Sequence, residues 1–552
     1  MTPRTRLIRF IGILFAATVF AGAAAAGAPQ SARAATYTPI SGTGSTWSQN
    51  ALDQWRKNVA ANYGMTVNYS GTGSSAGRRD FIAGTVDFAV SEIPFQTAPE
   101  DGSAPEKPTS GFAYMPIVAG GTSFMYNLKI GGKRVSNLRL GGETITKIFT
   151  GKITNWNDPQ IAADNPGLAM PNKAIVPVVR SDGSGSTAQF TLWMSKQFPT
   201  LWNSFCTLVK RATPCGLTSQ YPTYGNAKAQ SGSLGVAGYV SQDYGEGAIT
   251  YVEYSYALKS GFPVAKVLNA AGYYIEPTAP SVAVALLKAA INTTPSSPQY
   301  LTQILDGVYN NADPRTYPLS SYSYMIVPTA VAGIFNTAKG NTLGAFTSYM
   351  LCDGQQQAAA LGYSPLPMNL VLAGFDQIKR IPGAGSANVD PNACNNPTFK
   401  KGDSPTNNQL AVTAPQPAAC DKQGPNQCTT GTAGAAKTTT AVTGTGTGGS
   451  ATGGSATGGS ATGGAALAGA AAITTTAAAG DAPTYDANGA VVSGSAASGG
   501  SAVSSTPFTL ASATFGAQQA TMLAAGGLLV LAVILPPVLS RRLRRSGSAN
   551  GK

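Results

Sequence analysis

Helical and strand-like patterns alternate along the larger part of the chain. Apolar residues recur at helical spacing over residues 46–61 and 76–84, and short apolar runs occupy residues 65–69 and 86–90. This alternation is typical of strand and crossover-helix units, which build α/β proteins. It continues for about 350 residues, which is more than one compact core usually holds. The pattern therefore predicts a two-lobed α/β protein.

The N-terminal apolar run has the layout of an export signal. Three arginines precede an apolar stretch at residues 10–26, and small residues at 32–35 suit cleavage by a signal peptidase. We predict a removed signal peptide at residues 1–35. The alternative is a retained membrane anchor, which the shortness of the stretch disfavours. No cysteine lies near the cut, so the sequence does not predict a lipid anchor there.

A second apolar run lies near the C-terminus. Residues 522–539 carry no charge, and four arginines follow at 541–545. With its flanking residues the run is long enough to span a bilayer, and the basic cluster is expected in the cytoplasm. We predict a transmembrane helix at residues 516–540 and a cytoplasmic tail at 541–552. The alternative, a covalent cell-wall sorting signal, lacks the LPxTG-like motif that it requires.

A low-complexity segment precedes that run. Gly, Ala, Ser and Thr dominate from about residue 401 to residue 515, and Ser-Ala-Thr-Gly-Gly repeats in tandem over residues 450–464. Such a sequence buries too little apolar surface to offset its ordering entropy. We predict a disordered stalk at residues 391–515.

Charge and cysteine content exclude several classes of protein. Nine of the charges behind the formal net charge of +13 lie in residues 1–35 and 541–552, and about +4 remains for the rest. No basic stripe with interleaved aromatic residues is present, so nucleic-acid binding is not predicted. The six cysteines of this exported chain indicate disulfides. Fifteen pairings are possible. Proximity along the chain favours Cys206 with Cys215 and Cys420 with Cys428, which leaves Cys352 with Cys394.

The chain contains no histidine, which bears on catalysis and on metal binding. Residues 73–77 match the G-x-S-x-G pattern of hydrolases, but a serine nucleophile of that kind requires a histidine base. Residues 71–76 also fit a dinucleotide-binding glycine pattern, which is weak evidence alone. Zinc is disfavoured because no Cys-x-x-Cys pair occurs. We predict no enzymatic activity, no cofactor and no metal.

Three Gly/Ser/Thr-rich loops carry the functional signal. Residues 41–46, 71–75 and 182–187 each precede a stretch with a helical pattern, and Arg180 stands just ahead of the third. Backbone N–H groups at a helix N-terminus are unpaired within the helix and favour anions. Three such loops with an arginine predict a site for a phosphate-like anion.

Several runs in these loops and beyond them resemble one known family. Four runs are similar, in order, to the ligand loops of bacterial phosphate-binding proteins, which serve high-affinity phosphate ABC importers. These runs are residues 44–47, 67–75, 86–92 and 178–185. Two further runs, residues 149–159 and 247–254, also resemble that family. The resemblance covers residues 37–385. It implies a type II periplasmic-binding-protein fold with two interlobe crossings, near Gly120 and Tyr322. Lobe 1 would comprise residues 36–117 and 322–390, and lobe 2 residues 118–321.

The resemblance also implies a phosphate site in the cleft between the lobes. The hydrogen-bond donors of lobe 1 would be Thr46, Trp47 and Ser74. Arg180 would bind two phosphate oxygens with its planar guanidinium, and Asp182 would hold that arginine in place. The remaining donors would be Ser184, Gly185 and Ser186. Each residue has a plainer alternative, since Ser and Thr often cap helices and Gly permits turns. The side chain of Trp47 can simply pack.

Glu92 departs from the family pattern, which has aspartate at this position. An ionised carboxylate only accepts hydrogen bonds, so it favours an anion that still carries a proton and disfavours sulfate. Glutamate reaches one methylene further. The sequence therefore predicts either a larger pocket or a side chain that folds back, and leaves the selectivity against arsenate open.

Two functions follow from the resemblance. In the first, the protein captures inorganic phosphate at the outer face of a bacterial membrane and delivers it to ABC permease subunits. In the second, the same fold acts as a surface-tethered phosphate sensor or adhesion module without transport. The intact anion loops favour the first function, and the stalk and anchor favour the second.

Overall fold

The computed structural model describes residues 37–99, 103–294, 297, 299–385, 390–404, 409–438, 440, 484–485 and 491–493. The predicted signal peptide, transmembrane helix, cytoplasmic tail and most of the predicted stalk lie outside these ranges. Within them, no helix has the length and apolar character needed to cross a membrane. The chain divides into two units, Met1–Ser450 and Ala451–Lys552. In the second unit, Thr484–Tyr485 pairs antiparallel with Val491–Ser493.

Strands and helices alternate through the first unit, as the pattern predicts. The strands are β1 Ile40–Gly44, β2 Val67–Ser70, β3 Phe88–Ser91, β4 Phe112–Tyr126, β5 Lys129–Ile130, β6 Lys133–Arg134, β7 Arg139–Leu140, β8 Val176–Arg180, β9 Lys228–Gln230, β10 Ala248–Glu253, β11 Lys266–Leu268, β12 Tyr274–Ile275, β13 Ala290–Ile291, β14 Gln303–Ile304 and β15 Ser320–Pro328. The helices are α1 Gln49–Tyr63, α2 Ser74–Ile82, α3 Gly142–Phe149, α4 Pro159–Asp164, α5 Gly185–Gln197, α6 Pro199–Leu208, α7 Gly232–Ser241, α8 Tyr254–Lys259, α9 Ala279–Leu286, α10 Asp306–Tyr309, α11 Thr337–Leu351, α12 Met368–Ile378 and α13 Gln409–Thr413.

The main sheet of the described residues has eight strands in the order β2-β1-β3-β15-β4-β10-β8-β9. Its long strand β4 belongs to both halves of this sheet. Residues 112–121 of β4 pair antiparallel with β15, and residues 122–126 pair antiparallel with β10. Strands β3, β4, β10 and β15 are almost wholly buried, as expected for a sheet covered on both faces.

This pairing gives the two-lobed α/β architecture that the sequence predicts. One half of the sheet, β2-β1-β3-β15, carries the first two Gly-rich loops, and the other half, β10-β8-β9, carries the third. The chain passes between the halves along β4 and returns at the start of β15. The lobe boundaries at residues 117/118 and 321/322 stay predictions.

Backbone geometry sets the limits of the first helices. Helix α1 begins three residues later than predicted and ends at Gly64, which adopts a left-handed conformation with φ 65°. Helix α2 begins at Ser74, two residues earlier than predicted, directly after Gly73. The spacing of apolar residues identifies such a helix but locates its ends less well, because the ends are set by the conformation of the capping residues.

The six cysteines form the three disulfides that the sequence predicts, two from proximity along the chain and the third as the remaining pair. Cys206 is joined to Cys215, Cys352 to Cys394 and Cys420 to Cys428. The first disulfide links α6 to the loop that follows it. The second joins the end of α11 to residue 394, and the third closes a short loop in residues 420–428.

The prediction that the stalk is disordered is wrong for its first part, up to about residue 440. Residues 390–440, here called the C-terminal segment, pack against the folded unit where the structure describes them. Asn396 Nδ2 donates to Leu351 O at 3.1 Å, and Thr432 Oγ1 donates to Val264 O at 2.6 Å. Lys266 pairs with Asp421 at 2.7 Å. Hydrogen bonds, an ion pair and the Cys352–Cys394 disulfide hold this segment to the folded unit, and Cys420–Cys428 closes a loop within it. Its low apolar content therefore does not leave it disordered.

Candidate functional site

The three Gly-rich loops meet where the two halves of the sheet adjoin. Gly73 N donates to Gly44 O at 2.8 Å, which joins the first two loops. Ser75 N donates to Gly183 O at 3.0 Å, which joins the second loop to the third. The loops that the sequence singles out are therefore in direct contact across the junction of the lobes.

Glycine is required where the loops approach most closely. A Cβ on Gly44, whose φ is 134°, would come within 2.1 Å of Val90 O. A Cβ on Gly185 would come within 1.9 Å of Glu92 Oε2 and 2.6 Å of Ser74 Oγ. The first turn of α5 thus lies against the Glu92 carboxylate, and no larger residue fits there without displacement.

Arg180, at the end of β8, is buried and held in a fixed orientation. Its Nε donates to Asp182 Oδ1 at 2.7 Å, and its Nη2 pairs with Asp182 Oδ2. Its Nη1 lies 3.3 Å from Ser233 Oγ, and Gly232 N donates to Asp182 Oδ1 at 2.8 Å. The fork of the guanidinium is therefore aligned before any ligand arrives.

Asp182 remains ionised in this setting. Burial alone would raise its pKa, but the hydrogen bonds and positive charge of Arg180, with the N–H of Gly232, outweigh burial and lower the pKa below the usual range. The Arg180–Asp182 pair is therefore neutral as a whole. The positive character of the site comes from oriented N–H and guanidinium groups rather than from a net cationic charge.

Glu92 is almost wholly buried, with 1% of its surface exposed. Ser74 Oγ donates to Oε2 at 2.8 Å, Ser323 Oγ donates to Oε1 at 2.8 Å, and the Ser45 hydroxyl also donates to Oε1. The carboxylate is held against the protein by three serines. Ser45 and Ser323 were not among the predicted site residues. Ser45 adjoins Thr46 in one of the three predicted anion-binding loops. Ser323 lies in the buried strand β15, where no local motif marks it.

Thr46 and Trp47 follow Ser45 and point to different partners. Thr46 Oγ1 accepts a hydrogen bond from Ser233 N at 3.0 Å and lies 2.9 Å from Ser233 Oγ. Trp47 N donates to Ser45 Oγ at 2.9 Å. The Trp47 ring packs edge-on against Tyr363, so its side chain serves the core. Thr46 thus connects the first loop to the start of α7.

The start of α5 combines a helix cap with a free hydroxyl. Ser184 Oγ accepts from Thr187 N at 3.1 Å, which makes Ser184 an N-cap, and Ser184 N donates to Ser219 O at 2.9 Å. Gly185 N donates to Ser74 Oγ at 3.2 Å. Ser186 Oγ is buried and has no hydrogen-bond partner among the described residues. An unpaired buried hydroxyl is costly, so the Ser186 hydroxyl marks a place where a polar ligand would be stabilised.

Behind the first loop, Glu253 caps α8. Its Oε2 accepts from Ser255 N at 2.7 Å, while its Oε1 has no partner in the described part of the chain. Burial raises the pKa of Glu253 well above its usual value, despite the hydrogen bonds that lower it. The folded state therefore keeps this proton to a higher pH than the unfolded chain, in which a glutamate has a pKa of about 4.3.

This shift predicts a pH-dependent gain from Glu253→Gln. The contribution of Glu253 to stability is fully present below its unfolded pKa and declines as pH rises toward its folded pKa. We expect the melting temperature of the variant, relative to that of the unsubstituted protein, to increase between pH 4 and pH 7. Thermal unfolding at both pH values measures this difference. Glu143→Gln, at an exposed helical position, is the control; an equal difference at both pH values for Glu253→Gln would refute the prediction.

Comparison with known proteins agrees with this geometry. The family model described as a PBP superfamily domain matches residues 29–354. The phosphate-binding protein PstS of Xylella fastidiosa (strain Temecula1 / ATCC 700964) is 32% identical over 346 residues, which cover 62% of this chain and 85% of that protein. The chain belongs to the PstS family of phosphate-binding proteins. The resemblance carried by the ligand loops is thereby confirmed.

Other PstS relatives and solved structures are also similar to this chain. The phosphate-binding protein PstS 2 of Mycobacterium tuberculosis (strain ATCC 25618 / H37Rv) is 29% identical over 334 residues, which cover 59% of this chain and 82% of that protein. The crystal structure of a phosphate-binding protein from Stenotrophomonas maltophilia is 17% identical, with a TM-score of 0.44; the match covers 61% of this chain and 92% of that protein.

Proposed function

We propose that this protein binds inorganic phosphate between its lobes, outside the cytoplasm, and delivers it to an ABC-type permease without catalysing a reaction. The observation that carries the proposal is the buried hydroxyl of Ser186, in the first turn of α5, which has no partner among the described residues. The buried Arg180 is linked to the same turn through Tyr251, whose hydroxyl accepts from Arg180 N at 3.2 Å and lies 2.8 Å from Thr187 Oγ1. An aligned guanidinium and a helix N-terminus both favour a tetrahedral oxyanion.

The donors around this place suit phosphate. Arg180 offers a planar fork, and Ser186 offers a hydroxyl that no described residue pairs with. The N-terminus of α5 adds the partial positive charge of its macrodipole. From the first loop, Thr46 would reorient its hydroxyl toward a ligand. From the second loop, Ser74 would offer its backbone N–H, because its hydroxyl donates to Glu92. We assign the ligand contacts to the eight predicted residues, with Asp182 as the residue that orients Arg180.

Glu92 supplies the acceptor that separates phosphate from sulfate. A carboxylate has no proton to donate, so it binds hydrogen phosphate through the ligand's own proton and repels sulfate, which has none at neutral pH. The geometry supports the alternative in which the glutamate folds back, because three serine hydroxyls hold its carboxylate against the first lobe.

We also propose how the protein reaches its permease. The signal peptide at residues 1–35 would direct export, and the apolar run at residues 516–540 would anchor the protein in the membrane with the basic tail in the cytoplasm. The support for this anchoring is the sequence alone: an uncharged run followed directly by arginines. Extraction of membranes with alkaline carbonate tests it, since an integral protein stays in the pellet and a peripheral one is released.

Calorimetric titration of the full-length protein tests the ligand. The protein is first freed of bound anion by unfolding and refolding, then titrated at neutral pH with phosphate and with sulfate. We expect phosphate to bind with a dissociation constant on the order of micromolar or tighter, and sulfate to give no heat of binding. Absence of phosphate binding by a folded protein would refute the proposal.

Deletion of the gene separates delivery from sensing. An importer component is needed for growth when phosphate is limiting, whereas a sensor or adhesion module is not needed for uptake itself. We expect slower phosphate uptake by the deletion strain, measured with labelled phosphate, and recovery with the intact gene. The same complementation with the Glu92→Gln variant should restore uptake less well when sulfate is in excess.

A further inference from the structure

Glu92 has no cationic partner among the described residues, and its carboxylate is surrounded by serine hydroxyls. All three serines come from one half of the sheet: Ser45 follows β1, Ser74 begins α2, and Ser323 lies in β15. The arrangement of Ser45 and Ser323 therefore does not depend on the position of the other lobe, whereas Ser74 also accepts from Gly185 N of α5. The Oε1 side of the acceptor is assembled before the cleft closes.

Neighbouring donors fix the direction of these hydroxyl protons. Trp47 N donates to Ser45 Oγ at 2.9 Å, and Gly185 N donates to Ser74 Oγ at 3.2 Å. A serine oxygen that accepts from an N–H group is left to donate its own single proton elsewhere. For Ser45 and Ser74 that acceptor is the Glu92 carboxylate. Ser323 Oγ also lies within donating distance of Ser48 Oγ, at 3.2 Å, but the Glu92 carboxylate is nearer, at 2.8 Å, and is the stronger acceptor because it is charged.

The lone pairs of Glu92 can then be counted. A carboxylate offers about four acceptor positions, two on each oxygen. Oε1 accepts from Ser45 and from Ser323, and Oε2 accepts from Ser74. A single position is left on Oε2, the oxygen that lies against the first turn of α5.

Strand β15 brings Ser323 to this place through an irregularity in its pairing. Ser323 pairs with Val118 of β4 and Tyr324 pairs with Pro116, so the register skips Ile117. A β-bulge of this kind re-aims side chains and is often found beside functional sites. Pro116 cannot donate a ladder hydrogen bond, which suits it to such a position. The hydroxyl of a strand that passes between the lobes is thereby aimed at Glu92.

We propose that Ser45 and Ser323 are positioning residues that saturate Oε1 of Glu92, so that one acceptor position on Oε2 receives the one proton of the bound anion. This inference rests on the proposed phosphate function and gives the origin of its selectivity. If either serine loses its hydroxyl, Oε1 regains a free lone pair and the carboxylate is free to turn. The site then distinguishes poorly between anions with and without a proton.

Titration of Ser323→Ala with phosphate and with sulfate tests the proposal. We expect phosphate affinity to fall about 10-fold, the cost of one lost hydrogen bond to a charged group, and the ratio of phosphate to sulfate affinity to narrow. Ser323→Thr keeps the hydroxyl and should restore the ratio. Ser45→Ala should act in the same direction, which provides a second test if Ser323→Ala does not fold.

Ser320→Ala is the matched control, because it removes a buried hydroxyl of the same strand that donates to Tyr317 O at 2.7 Å and does not touch Glu92. We expect this variant to bind phosphate within about 2-fold of the unsubstituted protein. An unchanged affinity ratio in both Ser323→Ala and Ser45→Ala would overturn the positioning role while phosphate binding itself stands. Failure of the unsubstituted protein to bind phosphate would instead overturn the proposed function, and this inference with it.

Discussion

Replacement of Arg180 by glutamine is expected to abolish high-affinity phosphate binding. The variant loses the fork that would meet two anion oxygens, and two hydrogen bonds between charged groups correspond to a loss of affinity on the order of 100-fold or more. It also leaves the largely buried Asp182 with the N–H of Gly232 but without its cation. We therefore expect the free energy of unfolding to fall by about 3–5 kcal/mol. Calorimetric titration and urea unfolding measure the two effects separately.

A second ion pair of similar burial provides the control for this experiment. Lys266 and Asp421 are 13% and 10% exposed and lie in β11 and the C-terminal segment, away from the Gly-rich loops. Lys266→Gln should lower stability without changing phosphate affinity. If Arg180→Gln loses stability but retains phosphate affinity within about 3-fold, Arg180 is a structural residue and not a ligand contact.

Replacement of Arg139 by alanine is expected to release the C-terminal segment. The guanidinium is buried over the ring of Tyr274, at 4.4 Å from the ring centroid, and donates to four carbonyl oxygens. One belongs to Asp164; the other three belong to the C-terminal segment, at residues 420, 424 and 426. Removal of these donors and of the cation–π contact should cost about 3–5 kcal/mol.

Limited proteolysis and hydrogen exchange measure the release of this segment directly. In Arg139→Ala we expect faster cleavage and faster exchange within residues 418–438, with little change in phosphate affinity. Arg315→Ala is the milder control, because Arg315 donates to Ala411 O and Ala414 O but its side chain is 18% exposed and is paired with Asp313. Equal protection of residues 418–438 in Arg139→Ala and in the unsubstituted protein would contradict the prediction.

The sequence identifies the loops of the site because their chemistry is local. A Gly-rich turn, a helix start and a preceding arginine all fall within a few residues, as in residues 180–187. The disulfides are predictable for the same reason, since two of them close short loops. The alternation of helix and strand patterns likewise predicts the α/β class and the two lobes.

The environment of Glu92 could not be predicted in this way. Its contact with Ser323 joins residues 231 positions apart. The contact exists only because β15 passes beside β3 and has a shifted register against β4. The C-terminal segment escaped prediction for a related reason. Backbone carbonyls of this segment accept hydrogen bonds from Arg139. Every residue has a backbone carbonyl, so amino-acid composition does not show which ones will be bound. Composition measures apolar content, whereas this segment is held by polar contacts.

The pairing of β4 with β15 has a mechanical consequence. These strands are the two passages between the lobes, and they are hydrogen-bonded neighbours from Phe112 to Gly121 of β4. Together they form a two-stranded ribbon instead of two independent threads. A ribbon flexes across its flat face, whereas sliding its strands past each other would break the register. The lobes of this protein should therefore open along one soft coordinate, so that a single pair of distance probes, one on each lobe, can follow the whole cycle of capture and release.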